Sequence, residues 1–106
     1  MITGLGIDLV ELARIAQAMR NPRFVSKILT PRERAYDLTV QFVAGRWAAK
    51  EAIAKASSEP LFWQEVEILN AKNGRPVVSI RGKETGILVS ITHERTHAAA
   101  VAVASD

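Results

Sequence analysis

Hydrophobic residues alternate with small or polar ones at the start of the chain. Leu5, Ile7 and Leu9 fall on one side, and Gly4, Gly6 and Asp8 on the other. This period of two predicts a β-strand over residues 2–10 whose leucine–isoleucine side is buried. The glycines predict that something packs or binds close to the opposite face. Asp8-Leu9-Val10-Glu11 reads as a capping-box start for a short helix, with Leu12, Ile15, Ala16 and Met19 as its apolar stripe. Asn21-Pro22 restarts the chain, Asn as N-cap and Pro at the first helical position; Phe24, Val25, Ile28 and Leu29 supply the stripe. Thr30-Pro31-Arg32-Glu33 is a further capping box that opens a turn or short helix. Residues from about 40 to 56 are alanine-rich and form the strongest helix, stopped by Ser57-Ser58-Glu59-Pro60. Alternation returns from Phe62 to Leu69; Asn73-Gly74 marks a tight turn and Pro76 to Ile80 the return strand. After a connector from Gly82 to Gly86, Ile87 to His93 and His97 to Ala104 form a second hairpin. One strand, then helices, then four strands predicts an α+β fold, a mostly antiparallel sheet with helices packed on one side.

A chain of 106 residues is expected to be a single domain, 1–106, with one core. Its 48% apolar and 24% charged residues are ordinary globular usage, which argues against disorder. The absence of cysteine excludes disulfides, thiolate nucleophiles and cysteine–zinc sites, and fits a cytoplasmic location. The first residues carry no basic leader, and no apolar run is long enough to span a membrane. Charge is unevenly placed. Residues 1–55 carry nine basic and five acidic side chains; residues 56–106 carry five and six. Between Arg14 and Arg34 the only acid is Glu33. Such a face attracts an acidic partner. Aromatics are only 6%, and no zinc-finger or RNA-stacking signature is present, which favours a protein partner over nucleic acid.

Three features can carry chemistry. Asp8 ends a strand on its glycine side, where its plain structural role is a helix cap. Glu51 lies within Arg46-Trp47-Ala48-Ala49-Lys50-Glu51-Ala52-Ile53-Ala54-Lys55, where it can simply pair with Lys55 one turn on. His93 closes Ser90-Ile91-Thr92-His93, and a lone histidine there is often structural. Taken together they read differently. Two carboxylates are hard oxygen ligands suited to Mg²⁺. Arg46, Lys50 and Lys55 can meet phosphates. Metal, cations and an imidazole suit a diphosphate substrate.

These features resemble one family. Gly4-Leu5-Gly6-Ile7-Asp8 is similar to the G-x-G-x-D opening of the holo-acyl-carrier-protein synthases, small 4′-phosphopantetheinyl transferases of fatty acid synthesis. Trp47-Ala48-Ala49-Lys50-Glu51-Ala52 looks like their W/F-A-A-K-E-A helix, Asn73-Gly74-Arg75-Pro76 their N-G-x-P turn, and Ser90-Ile91-Thr92-His93 their closing S-x-T-H strand. The resemblance implies Mg²⁺-dependent transfer of 4′-phosphopantetheine from coenzyme A to a serine of apo-acyl carrier protein, with adenosine 3′,5′-bisphosphate leaving. It implies Asp8 and Glu51 as metal ligands, and Arg46, Lys50, Lys55 and His93 on coenzyme A phosphates. Asn73, Gly74, Pro76 and Thr92 border the nucleotide. Glu51 is the candidate proton acceptor, with Lys55 and His93 beside it as catalytic residues. The resemblance further implies that Arg14, Arg20, Arg23 and Lys27 form the carrier-protein face, and that the assembly is a homotrimer with active sites between subunits. The chain departs from the family pattern after Ala56, where Ser57-Ser58-Glu59-Pro60-Leu61-Phe62 replaces a glycine-rich loop. The segments Thr30 to Phe42 and Arg81 to Gly86 are also short. The competing reading is a non-catalytic basic module that binds an acidic carrier protein.

Overall fold

A computed structural model describes residues 1–106. Strand β1 (Ile2–Glu11) leads into helices α1 (Leu12–Ala18) and α2 (Pro22–Ile28). A 3₁₀ turn at Glu33–Ala35 precedes the long helix α3 (Val40–Ala56). A second 3₁₀ turn, Trp63–Glu65, opens β2 (Val66–Asn70), followed by β3 (Pro76–Ile80), β4 (Lys83–Glu84), β5 (Leu88–His93) and β6 (His97–Ser105). The fold is α+β, as expected, but the strands form two antiparallel sheets, β1-β6-β5 and β2-β3-β4. The expected connector after Ile80 contains β4. It is reached through a tight turn in which Arg81 and Gly82 both take positive φ, 51° and 81°.

Local chemistry places most helix starts where the sequence puts them. Asn21 accepts from the Arg23 amide at the head of α2. Thr30 and Glu33 exchange the two capping-box bonds, at 2.8 and 3.3 Å. Thr39 caps α3 through the Phe42 amide. The start expected at Asp8 does not form. β1 stays paired with β6 as far as Glu11 opposite His97. The Leu12 amide then donates to the Thr96 carbonyl at the tip of the β5–β6 hairpin, 2.9 Å away. Sheet pairing overrides the capping signal, and Asp8 remains a strand residue with its carboxylate uncommitted to a cap.

The faces of β1 are also opposite to expectation. Gly6 and Val10 are buried, whereas Leu5, Ile7 and Leu9 are 67%, 67% and 65% exposed. The cause is α3. It lies across the inner face of the first sheet and touches all three strands. A Cβ at Gly4 would collide with the Ala56 carbonyl, and one at Gly6 with the Ala52 carbonyl. Helix backbone occupies the space that side chains would fill, so the large residues of β1 must point outward. The neighbouring inner residues of β6, Ala98, Ala100 and Ala102, are small and buried for the same reason.

α3 is covered on several sides, which makes its alanine content as informative as any stripe. Two of its buried residues, Arg46 and Lys50, are charged. The Lys50 ammonium donates to the Glu33 carboxylate at 2.7 Å and to the carbonyls of Ile28 and Trp63 at 2.8 and 3.0 Å. Glu33 also accepts from the amides of Thr30 and Ile68. This buried ion pair joins α2, α3 and β2, and its hydrogen-bonding capacity is filled. Burial pulls the Lys50 ammonium below its ordinary pKa, opposed by Glu33. Removing one partner leaves an uncompensated charge in the core. Lys50→Met is expected to lower unfolding free energy in denaturant titrations by about 3–5 kcal/mol; a loss below about 1 kcal/mol would match an exposed pair instead.

Candidate active site

The approach of α3 to β1 creates the first cluster. Because the Ala52 carbonyl rests on Gly6, the residues on either side of that contact flank the strand edge. Lys55 turns toward β1, donating to the Ile7 carbonyl at 2.8 Å and lying 3.5 Å from Asp8. It does not form the expected surface pair with Glu51. Glu51 sits one helical turn earlier and feels the negative charge of Asp8. Burial, then Asp8, raise its carboxyl pKa, and Lys55 partly offsets them. Two carboxylates and one ammonium therefore converge at a half-buried edge. The donors are hard oxygens, and one carboxyl is electrostatically disfavoured as an anion. A divalent cation would relieve that repulsion, and Asp8 and Glu51, as hard oxygen donors, are the residues that would hold it. No cluster of three or more metal-ligating side chains occurs.

A second cluster lies further along α3. Arg46 and His93 line an open cleft of about 250 Å³ with Thr39, Gln41, Phe42 and Ile91. Arg46 is 6% exposed. Its guanidinium donates to the Asn70 side chain at 3.0 Å and lies 4.5 Å from the Phe42 ring centroid. Its Nε has no partner. Desolvation lowers its pKa, opposed by Glu33 and Tyr36. Beyond His93, the hairpin tip is held by Glu94, whose carboxyl is pushed down to about 2, chiefly by the Thr96 hydroxyl. Phe42 and Arg46 are one helical turn apart; that spacing is the signal that could have added Phe42 to the sequence reading.

The two clusters do not meet within one chain. Asp8 pairs through Ala100 with Ile91, so it is two strands from β5, roughly 10 Å. His93 lies in the next inward-facing row. Asn73 and Pro76 line a third cleft of about 270 Å³ on the second sheet, reaching Leu88. Asn73 itself caps its turn through the Arg75 amide, and Gly74 has φ of 86°. Thr92 points away from His93, sharing the outer face with Leu9 and Ala99. Lys50 is a correction. Its ammonium is sealed in the core by three partners, so it cannot also meet a phosphate.

The basic residues Arg14, Arg20, Arg23 and Lys27 are all exposed. None takes part in the molecule's ion pairs. Arg23 and Lys27 line an open cleft of about 330 Å³ between α1 and α2, together with Phe24. No helix is long and apolar enough to cross a membrane.

A family model described as the 4′-phosphopantetheinyl transferase superfamily matches residues 4–104. The holo-[acyl-carrier-protein] synthase of Geobacillus sp. (strain WCH70) is 44% identical over 111 residues, covering 94% of this chain and 93% of its own. A crystal structure of the synthase from Bacillus anthracis in complex with CoA (3′,5′-ADP) superposes with a TM-score of 0.84, at 35% identity over 99% of both chains. The Neisseria meningitidis synthase superposes with a TM-score of 0.88, at 28% identity over the whole of both chains. The chain therefore belongs to the 4′-phosphopantetheinyl transferase superfamily, within its enzyme family of holo-[acyl-carrier-protein] synthases.

Proposed function

We propose that this chain transfers the 4′-phosphopantetheine group of coenzyme A to a serine of apo-acyl carrier protein. The observation that carries the reading is the meeting of Asp8, Glu51 and Lys55 at the α3–β1 contact. The serine oxygen attacks the phosphorus that bears the pantetheine arm. A new P–O bond forms, the bond to the bridging oxygen breaks, and adenosine 3′,5′-bisphosphate leaves with the electron pair. Asp8 and Glu51 would hold Mg²⁺, whose chemistry there is neutralisation of the diphosphate charge. Lys55 sits where it can meet an oxygen of the same phosphate. Glu51 is the candidate acceptor of the serine proton. Arg46 and His93 suit a phosphate of the nucleotide end. The unpaired Arg14, Arg20, Arg23 and Lys27 suit an acidic carrier protein.

The separation of the clusters favours a site assembled from two copies of the chain. Asp8, Glu51 and Lys55 come from one copy, and His93 with the Asn73–Pro76 turn from a neighbour. The outer face of β1-β6-β5 supports this. Leu5, Val103 and Leu88 form one row across it, and Ile7 and Val101 another. An apolar face of this kind marks a protein interface, and we assign it to a homotrimer.

Two tests follow. Asp8→Ala and Glu51→Ala are each expected to lower transfer by more than the roughly 100-fold that losing an outer-sphere partner costs, with melting temperature unchanged. Near-wild-type transfer by either variant removes the assignment. Ile7→Glu is expected to reduce the light-scattering mass to that of a single chain and to abolish coenzyme A binding. An unchanged mass contradicts the assembly.

A further inference from the structure

Helix α2 is seven residues long, so its unpaired C-terminal carbonyls matter. All of them are met by side chains from outside the helix. Gln64 Nε2 lies 2.9, 3.1 and 2.8 Å from the carbonyls of Ser26, Lys27 and Leu29, and its two N–H hydrogens are shared among the three. Lys50 meets Ile28, and Arg34 meets Ser26 and Leu29. Gln64 is the one side chain that reaches the Lys27 carbonyl. The orientation of the Gln64 amide is fixed, because its oxygen would repel three carbonyl oxygens.

Gln64 belongs to the segment that follows α3, and that segment is itself anchored. The Glu65 carboxylate accepts from the Phe62 amide and from Arg81, which also bridges to Glu59. The Trp63 carbonyl accepts from Lys50, the residue before Glu51. The Trp63 ring stacks on Trp47 of α3 at 4.5 Å, and Trp47 stacks on Phe24 of α2 at 5.8 Å. The helix that carries Arg23 and Lys27 is thus tied to the helix that carries Glu51, and Gln64 provides the tie with the most contacts to α2.

We infer that Gln64 is a positioning residue that sets the angle of α2, so that a carrier protein held on its cations presents the serine to Glu51. The inference rests on the function proposed above. Gln64 lines neither the clefts of Arg46 and His93 or of Asn73 and Pro76 nor the one beside Glu51, so its loss is expected to act on the carrier side of the reaction. It is exposed, and the core does not depend on it.

The test uses three variants. Gln64→Ala is expected to raise the carrier-protein KM about tenfold, less than the ~100-fold that a 1 Å misplacement of reacting groups can cost, with the coenzyme A KM unchanged. Gln64→Glu, which turns a carboxylate toward carbonyl oxygens, is expected to be worse. Gln64→Arg restores donors at a helix C-terminus and is expected to recover most of the loss. Amide exchange across Pro22–Leu29, measured without carrier protein, is expected to quicken in the Ala and Glu variants and to slow again in the Arg variant. Wild-type carrier KM in both the Ala and Glu variants, or equal rises in both KM values, overturns the inference. Unchanged amide exchange overturns the tie itself. A wild-type chain that transfers nothing removes the function and the carrier-side claim together, while the exchange measurement still decides whether Gln64 fixes α2.

Discussion

The carbonyl oxygens of Ala52 and Ala56 lie so close to Gly6 and Gly4 that neither strand residue has room for a Cβ. Backbone therefore rests on backbone where α3 crosses β1. Every larger residue at those positions would lift the helix off the sheet. That spacing decides how far Glu51 and Lys55 sit from Asp8, and hence whether two carboxylates can share one cation. It also decides which way β1 faces. With its inner side filled by helix backbone, the strand has nowhere but the outside for Leu5, Ile7 and Leu9. One steric constraint thus builds the charged edge and leaves an apolar face for a neighbour.

The helix that makes this contact is held on its other side by the Lys50–Glu33 pair. A buried ion pair is no stronger than good apolar packing, but it is directional. Glu33 fixes the middle of β2 through Ile68, and Lys50 fixes the end of α2 through Ile28. The register of α3 along the sheet is therefore set from both faces. Glu51, adjacent to Lys50, inherits that register. Lys50 turns into the core toward Glu33 while Glu51 faces the Asp8 edge, so two neighbouring charged residues in one motif meet different surroundings.

Much of this was legible in the sequence, and the failures have physical causes. Asn21-Pro22, Thr30 to Glu33 and Asn73-Gly74 declared themselves because caps and turns are local. The strand ending at His93 declared itself by the inner-face row Ile87, Val89 and Ile91. The glycines of β1 announced a close neighbour, but alternation alone does not say which face is inside. A surface covered by helix backbone and a surface covered by solvent both read as small residues. The capping pattern after Asp8 failed because pairing with β6, some ninety residues distant in sequence, is invisible locally. Lys50 looked like a phosphate ligand because its partner Glu33 lies in another element. The sequence resemblance named Asp8, Glu51 and Lys55, and the fold places these three near one another. It did not bring His93 or Asn73 to them within one chain.

The central claim is that the Asp8–Glu51–Lys55 edge performs phosphopantetheinyl transfer. The most direct measurement is the intact mass of an apo-acyl carrier protein incubated with this chain, coenzyme A and Mg²⁺. The account predicts a gain of one phosphopantetheine arm on a single serine, abolished by EDTA. No gain from a folded sample across several apo-carriers, with carrier binding retained, would contradict it and leave a basic module that binds its partner without modifying it.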